Sequence, residues 1–288
     1  MQPSLAAPLR ALEAGMQLGV VGAGAMGSAL LRGLLGEGVA PKQLWAATRT
    51  PESAAAVAHA LGIAASEAYG ERVAHSDVIV LAVKPAQVPA ALRRLADAGL
   101  RPETLVISVA AGIPTRRLEA LLAEPNPVVR AMSNTPCLVG EGMTALAAGS
   151  RAGEAHLETA RRLFAAVGKC IVLEERHLDA VTALSGSGPA YVYLIIEALA
   201  DAGVRVGLPR DVAMGLVTQT VLGAARMVEK SDRHPAALRD DVTTPAGCTI
   251  GALLVLEDGK IRSTLARAVE EAARVLRDLA AASEERRA

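Results

Sequence analysis

The run VVGAGAMGSALLRGLL constrains this chain more than any other feature of it. Gly22, Gly24 and Gly27 stand in GxGxxG spacing where an apolar strand turns directly into an amphipathic helix. The first glycine permits the tight turn, the second lets the backbone approach a pyrophosphate, and the third lets helix and strand pack closely. The helix N-terminus adds unpaired N–H groups and a favourable dipole. Such spacing alone is weak evidence, but here it opens the first βαβ unit, which is the context a dinucleotide site requires.

From about Met16 to Leu173, short apolar runs (LGVVGAG, QLWAAT, DVIVLAV, TLVISVA, NPVVRAM and KCIVL) alternate with Ala- and Leu-rich stretches of helical period. That rhythm predicts a Rossmann-type doubly wound α/β sheet. Beyond about Arg176 the strand signal gives out. Segments from Leu178, Pro189, Pro209, Cys248 and Lys260 read as helices, with Pro at or near helix starts, where its missing N–H costs nothing. The expected organisation is a loose extension over 1–15, a dinucleotide-binding domain over 16–175 and an all-helical domain over 176–288. The last helix, about Ile261 to Ala282, carries Leu265, Val269, Ala272, Ala273, Leu276 and Leu279 on one face. That face either covers its own domain or completes a core across a dimer interface.

Composition excludes other classes. Thirty basic residues balance thirty acidic ones, so no global field attracts nucleic acid or an anionic membrane. One Phe, one Trp and three Tyr leave few surfaces on which bases could stack. Cys137, Cys170 and Cys248 are odd in number and far apart, which indicates neither a disulfide framework nor a zinc site and fits a reducing compartment. His59, His75, His156, His177 and His234 form no ligand-like cluster with Cys or acids, so no metal is expected. The N-terminus lacks the apolar run of a signal peptide, and no later stretch reaches transmembrane length free of charge. A cytoplasmic location is expected.

About 20 residues past the glycine turn, where an acid would bind the ribose of a non-phosphorylated cofactor, the chain has Thr48 and Arg49. A cation and a hydroxyl suit a 2′-phosphate, so NADPH is preferred over NADH, which stays possible. Two more loops leave the carboxyl ends of expected strands, Ala82–Val83–Lys84–Pro85 and Ser108–Val109–Ala110–Ala111–Gly112–Ile113. In open α/β sheets ligands gather at those ends.

The runs DAVTALSGSGPAYVYLIIEALADAGVRVGLPRDVA, SNTPCLVGEGMTAL, QTVLGAARM and HPAALRDDVTTPAGCTIGALLVLEDG together resemble the pyrroline-5-carboxylate reductase family along nearly the whole chain. The resemblance implies hydride transfer from a nicotinamide dinucleotide to the imine of a small cyclic imino acid, giving L-proline. It also implies a helical C-terminal domain that forms a homodimer, with larger rings of dimers in some cases. Carried over by residue, the dinucleotide would meet Val21, Gly22, Ala23, Gly24, Ala25 and Met26, then Thr48, Arg49, the Ala82–Pro85 loop and Val109, Ala110 and Ala111. The substrate would meet Glu175, Asp241, Cys248 and Thr249, with Thr249 as the catalytic group.

The chemistry at these positions is reasonable. N–H groups at Gly247, Cys248 and Thr249, where a helix begins, suit a carboxylate. The Thr249 hydroxyl could reach the ring nitrogen as a hydrogen-bond partner or proton donor, or simply cap its helix. Glu175 could favour an iminium or merely complement a helix dipole. Three departures from the family pattern stand out: Tyr69 replaces an Asn on the adenosine side, Asp241 replaces another Asn, and TTPAGCT replaces a Ser-Pro-Gly-Gly form. An aromatic ring at Tyr69 could stack on adenine. Alternatives are a β-hydroxyacid dehydrogenase, disfavoured because Leu178–Arg205 contains no lysine, a reductase of a six-membered imine, or a dinucleotide sensor without turnover.

Overall fold

The computed structural model describes Glu13 and residues 15–285, the last of them (279–285) as backbone. The extension expected over residues 1–15 therefore lies, except for Glu13 and Gly15, outside the described residues, as does the side chain of Leu279. The six expected strands form as β1 (Leu18–Val21), β2 (Leu44–Ala47), β4 (Val78–Leu81), β5 (Leu105–Ser108), β6 (Val128–Met132) and β8 (Gly168–Val172), and two that were not expected, β3 (Ala64–Ser66) and β7 (Gly142–Ala148), join them. Between them run α1 (Ala25–Gly36), α2 (Pro51–Leu61), α3 (Val88–Asp97), α4 (Thr115–Leu121) and α5 (Glu154–Ala165). One sheet results, in the order β3-β2-β1-β4-β5-β6-β7-β8. Strands β1 to β6 are mutually parallel; β7 runs antiparallel to β6, and β8 runs parallel to β7.

β1, β2, β4 and β5 are buried at every residue, the signature of a sheet covered on both faces. Their alternate side chains feed two cores. Val20, Leu18, Val78, Val80 and Ile107 pack with α1 and α5 on one face, and Val21, Ile79, Leu81 and Val106 pack with α3 on the other. β7 is a correction, since its residues fall in the family run SNTPCLVGEGMTAL, which reads as a loop. Met-Thr-Ala-Leu-Ala-Ala has little of the β-branched content that marks a strand, and pairing to both neighbours, not propensity, makes it one.

The helical part comprises α6 (Leu178–Val181), a wider turn at Thr182–Gly186, α7 (Gly188–Arg205), α8 (Arg210–Lys230), α9 (Pro235–Asp241), α10 (Cys248–Asp258) and α11 (Ile261–Glu285). By contacts the chain divides between Gly186 and Ser187, with one unit reaching to Gly186 and including the residues from Val275, and the other being Ser187–Arg274. Among the described residues one helical stretch, Glu175–Arg205, is long and apolar enough to cross a membrane, by length and composition alone.

The helical unit is poorly covered. Among its described residues only Ala200 and Ala213 are buried. Leu194 on α7 is 66% exposed and Val206 is 81% exposed, with Leu216, Met227 and Val255 also open to solvent. Two long helices, α7 and α8, thus present apolar surface far beyond the scattered exposure normal for a monomer.

Candidate active site

In the sheet unit, the strand order reverses between β1 and β4, and ligands of open α/β sheets bind in the crevice beyond that point. Backbone bonds bring the strand ends there into line. The N–H of Gly22 donates to the Ala47 carbonyl at 2.8 Å, that of Ala82 to Val21 at 2.8 Å, and that of Val109 to Leu81 at 3.0 Å. The loops at Val21–Met26, Thr48–Arg49, Ala82–Pro85 and Val109–Ala111 are therefore neighbours on one edge.

Gly22 has φ +100, and a Cβ there would lie 2.7 Å from the Ala82 carbonyl oxygen. Any larger residue would push these two loops apart. A Cβ on Gly27 would lie 2.2 Å from the Gly22 carbonyl oxygen, so this glycine seats α1 against its strand. Gly24, by contrast, faces open space and caps α1 with no side-chain acceptor. The N–H groups of Ala23, Gly24, Ala25 and Met26 have no partner among the described residues. A row of free N–H groups at a helix start fits a pyrophosphate.

Arg49 stands exposed beyond β2, with no ion-pair partner among the described residues. Thr48 is buried and its hydroxyl donates to the Thr50 carbonyl at 3.0 Å, so Arg49 is the freer of the two donors. Tyr69 departs from expectation. It is 7% exposed, and the Arg94 guanidinium lies over its ring at 4.2 Å, so that face is covered by a cation and is not available to an adenine.

In the helical unit, α10 begins at Cys248 with Gly247 as its cap and no side-chain acceptor on its free N–H groups. Those of Cys248, Thr249 and Ile250 have no partner among the described residues, whereas the Gly247 N–H, expected to meet the substrate, donates to the Thr244 carbonyl at 3.0 Å. The turn that closes this bond places Ala246 at φ +56, a left-handed conformation that costs an L-residue roughly 1–2 kcal/mol. This is one of the places where the family pattern has Gly. Asp241, at the end of α9, receives both nitrogens of the Arg233 guanidinium. Those hydrogen bonds hold its carboxyl below the usual carboxylate range, so the acid is ionised at neutral pH with its charge compensated. An anionic ligand nearby therefore meets an ion pair and not a bare carboxylate.

Glu175, expected at the substrate, is engaged within the sheet unit. Its Oε1 accepts from the Thr115 N–H at 2.7 Å and its Oε2 from the Thr115 hydroxyl at 2.6 Å. Arg130 of β6, whose side chain is 5% exposed, reaches the same carboxylate at 3.4 Å and Asp179 at 3.1 Å. Arg130 belongs to no sequence motif, and its one signal along the chain is a lone Arg amid the apolar run VVRAM. All three cysteines are free, and burial pushes the Cys170 thiol up to about 12, leaving it inert at neutral pH.

A doubly wound sheet with a free N–H cradle at its switch point, followed by helices of which α10 starts with unpartnered N–H groups, is the arrangement of a dinucleotide-dependent oxidoreductase. Residues 17–112 match the family model for NADP oxidoreductase, coenzyme F420-dependent, and residues 175–279 match that for pyrroline-5-carboxylate reductase dimerisation. The chain is 42% identical over 265 residues to the pyrroline-5-carboxylate reductase of Pseudomonas aeruginosa, covering 92% of this chain and 97% of that one. It is 42% identical to that of Arabidopsis thaliana, covering 91% and 95%. The solved structure of a pyrroline-5-carboxylate reductase from Coxiella burnetii superposes with a TM-score of 0.87 at 34% identity, covering 92% of this chain and 98% of that one. A Plasmodium falciparum pyrroline carboxylate reductase with NADP bound gives 0.81 at 33% identity, with the same coverage. The chain belongs to the pyrroline-5-carboxylate reductase family.

Proposed function

We propose that the protein reduces the C=N bond of 1-pyrroline-5-carboxylate to L-proline, with NADPH as the preferred donor and NADH as a possible one. The row of free N–H groups from Ala23 to Met26, at the switch point of the sheet, carries the reading, and relatives named for this activity support it. The cofactor, when bound, supplies the hydride. The chain does the rest. Val21–Met26 hold the pyrophosphate, Arg49 with Thr48 takes the 2′-phosphate, and the Ala82–Pro85 and Val109–Ala111 loops border the remainder.

On the helical side, the N–H groups of Cys248, Thr249 and Ile250 hold the substrate carboxylate without a metal. Thr249 directs its hydroxyl to the ring nitrogen, which must be protonated by the end of the reaction. The Arg233–Asp241 pair keeps the local charge balanced. The functional division follows: residues 16–175 carry the cofactor, and residues 176–288 carry the substrate and the interface. A second copy covers the apolar surface of α7 and α8, giving a homodimer and, through further contacts, a ring of dimers. Neither nucleic acid nor membrane is a partner, and the location is cytoplasmic.

Arg49→Ala tests the cofactor assignment. Losing a charge-assisted contact to the 2′-phosphate should raise the KM for NADPH by about ten- to one-hundredfold and leave that for NADH nearly unchanged. Steady-state kinetics with both donors decides this, and equal effects on the two would remove the assignment of Arg49 to the 2′-phosphate.

A further inference from the structure

We propose that Glu175 is a positioning residue for the dinucleotide and not a substrate ligand: held by buried Arg130, its carboxylate fixes the end of the loop that leaves β5. This rests on the reading that Val109–Ala111 border the cofactor.

The loop spans from Ser108 to Thr115. At its near end, Val109 is tied to Leu81, and the Ala110 N–H donates to the Ser108 hydroxyl at 3.3 Å. At its far end, α4 has Pro114 as its cap, a residue with no side-chain acceptor, so the start of that helix lacks the usual local partner. Glu175, sixty residues further along the chain, supplies it, satisfying the Thr115 N–H and hydroxyl with separate oxygens. Arg130 holds the carboxylate in place from a strand buried in the sheet, and Asp179 shares its charge. Between the two anchored ends the chain turns through Gly112 at φ +72, so the loop depends on both anchors for its course.

Both Glu175 oxygens are thus taken at short range by Thr115, and Arg130 adds a third contact. A substrate nitrogen could use this carboxylate only by displacing bonds that hold α4. Removing Glu175 would leave buried Arg130 with the half-exposed Asp179 as its remaining carboxylate partner among the described residues, and α4 without its anchor.

Three variants test the inference, each checked for folding by circular dichroism: Glu175→Gln, Thr115→Val and Thr115→Ser. NADPH affinity is read by titrating nicotinamide fluorescence, and the KM for 1-pyrroline-5-carboxylate is measured at saturating NADPH. The expected result is NADPH binding weakened about fivefold or more in Glu175→Gln and Thr115→Val, recovery in Thr115→Ser, and an unchanged substrate KM. A raised substrate KM with NADPH affinity intact would overturn the proposal, as would unchanged NADPH affinity in both weakening variants. Should Glu175→Gln fail to fold, the Thr115 pair carries the test alone. If the wild type binds NADPH without reducing the imine, the reaction assignment fails, while the fluorescence titration still decides the role of Glu175.

Discussion

Thr249→Ala should lower kcat by about one hundredfold, the usual range for losing a positioned acid or hydrogen-bond donor, while NADPH affinity stays as it is. Thr249 lies in the first turn of α10, and its hydroxyl makes no hydrogen bond to any described residue, so it is not consumed in capping its own helix. A threonine that merely capped the helix would show that bond. Deleting the hydroxyl leaves the free N–H groups of α10, and with them the carboxylate site, in place. The expected split is therefore a fall in kcat with little change in substrate KM. Single-turnover kinetics with preloaded NADPH would check it, and an unchanged rate of hydride transfer would remove Thr249 from the chemistry.

Leu194→Asp should convert the protein from a dimer or larger assembly to monomers at micromolar concentration. Leu194 is two-thirds exposed on α7, in a unit whose described residues include only two small buried alanines. A helical unit with so little interior of its own needs a second copy to bury its apolar faces. Covering one leucine contributes about 2 kcal/mol, and a twofold interface meets each substitution twice. Burying two unpaired carboxylates adds several kcal/mol more. Dissociation should strengthen by a factor on the order of a thousand or more. Sedimentation velocity reads the assembly directly. Thermal unfolding gives a second check, because the wild type should melt at a temperature that rises with protein concentration and the variant should not. A wild type that sediments as a monomer would contradict the interface.

Much of this was legible along the chain, and the parts that were not share a physical cause. The glycine turn and its strand are local features, and so are the helix starts at Pro189 and Cys248, where neighbouring residues alone set the backbone. β3 and β7 were harder, because Ala-Ala-Ser and Met-Thr-Ala-Leu-Ala-Ala have no propensity of their own and become strands through pairing. The bonds that redefine individual roles are longer in range. Glu175 meets Thr115 and Arg130 across sixty and forty-five residues, and Arg94 covers the ring of Tyr69 from the next helix. The Arg233–Asp241 pair spans only eight residues, yet it depends on the fold of α9. Charge at Asp241 thus looked awkward from the sequence and is neutralised by a partner that spacing did not reveal. Likewise, Gly247 looked like a ligand until its N–H was seen to close the turn that holds Ala246.

The most direct measurement is the loss of NADPH absorbance when purified protein meets 1-pyrroline-5-carboxylate, run beside NADH and a six-membered cyclic imino acid. Rapid oxidation of NADPH that depends on the five-membered substrate, faster than with NADH and with the larger ring, is the predicted result. NADPH binding without oxidation, or turnover only with the six-membered imine, would contradict it.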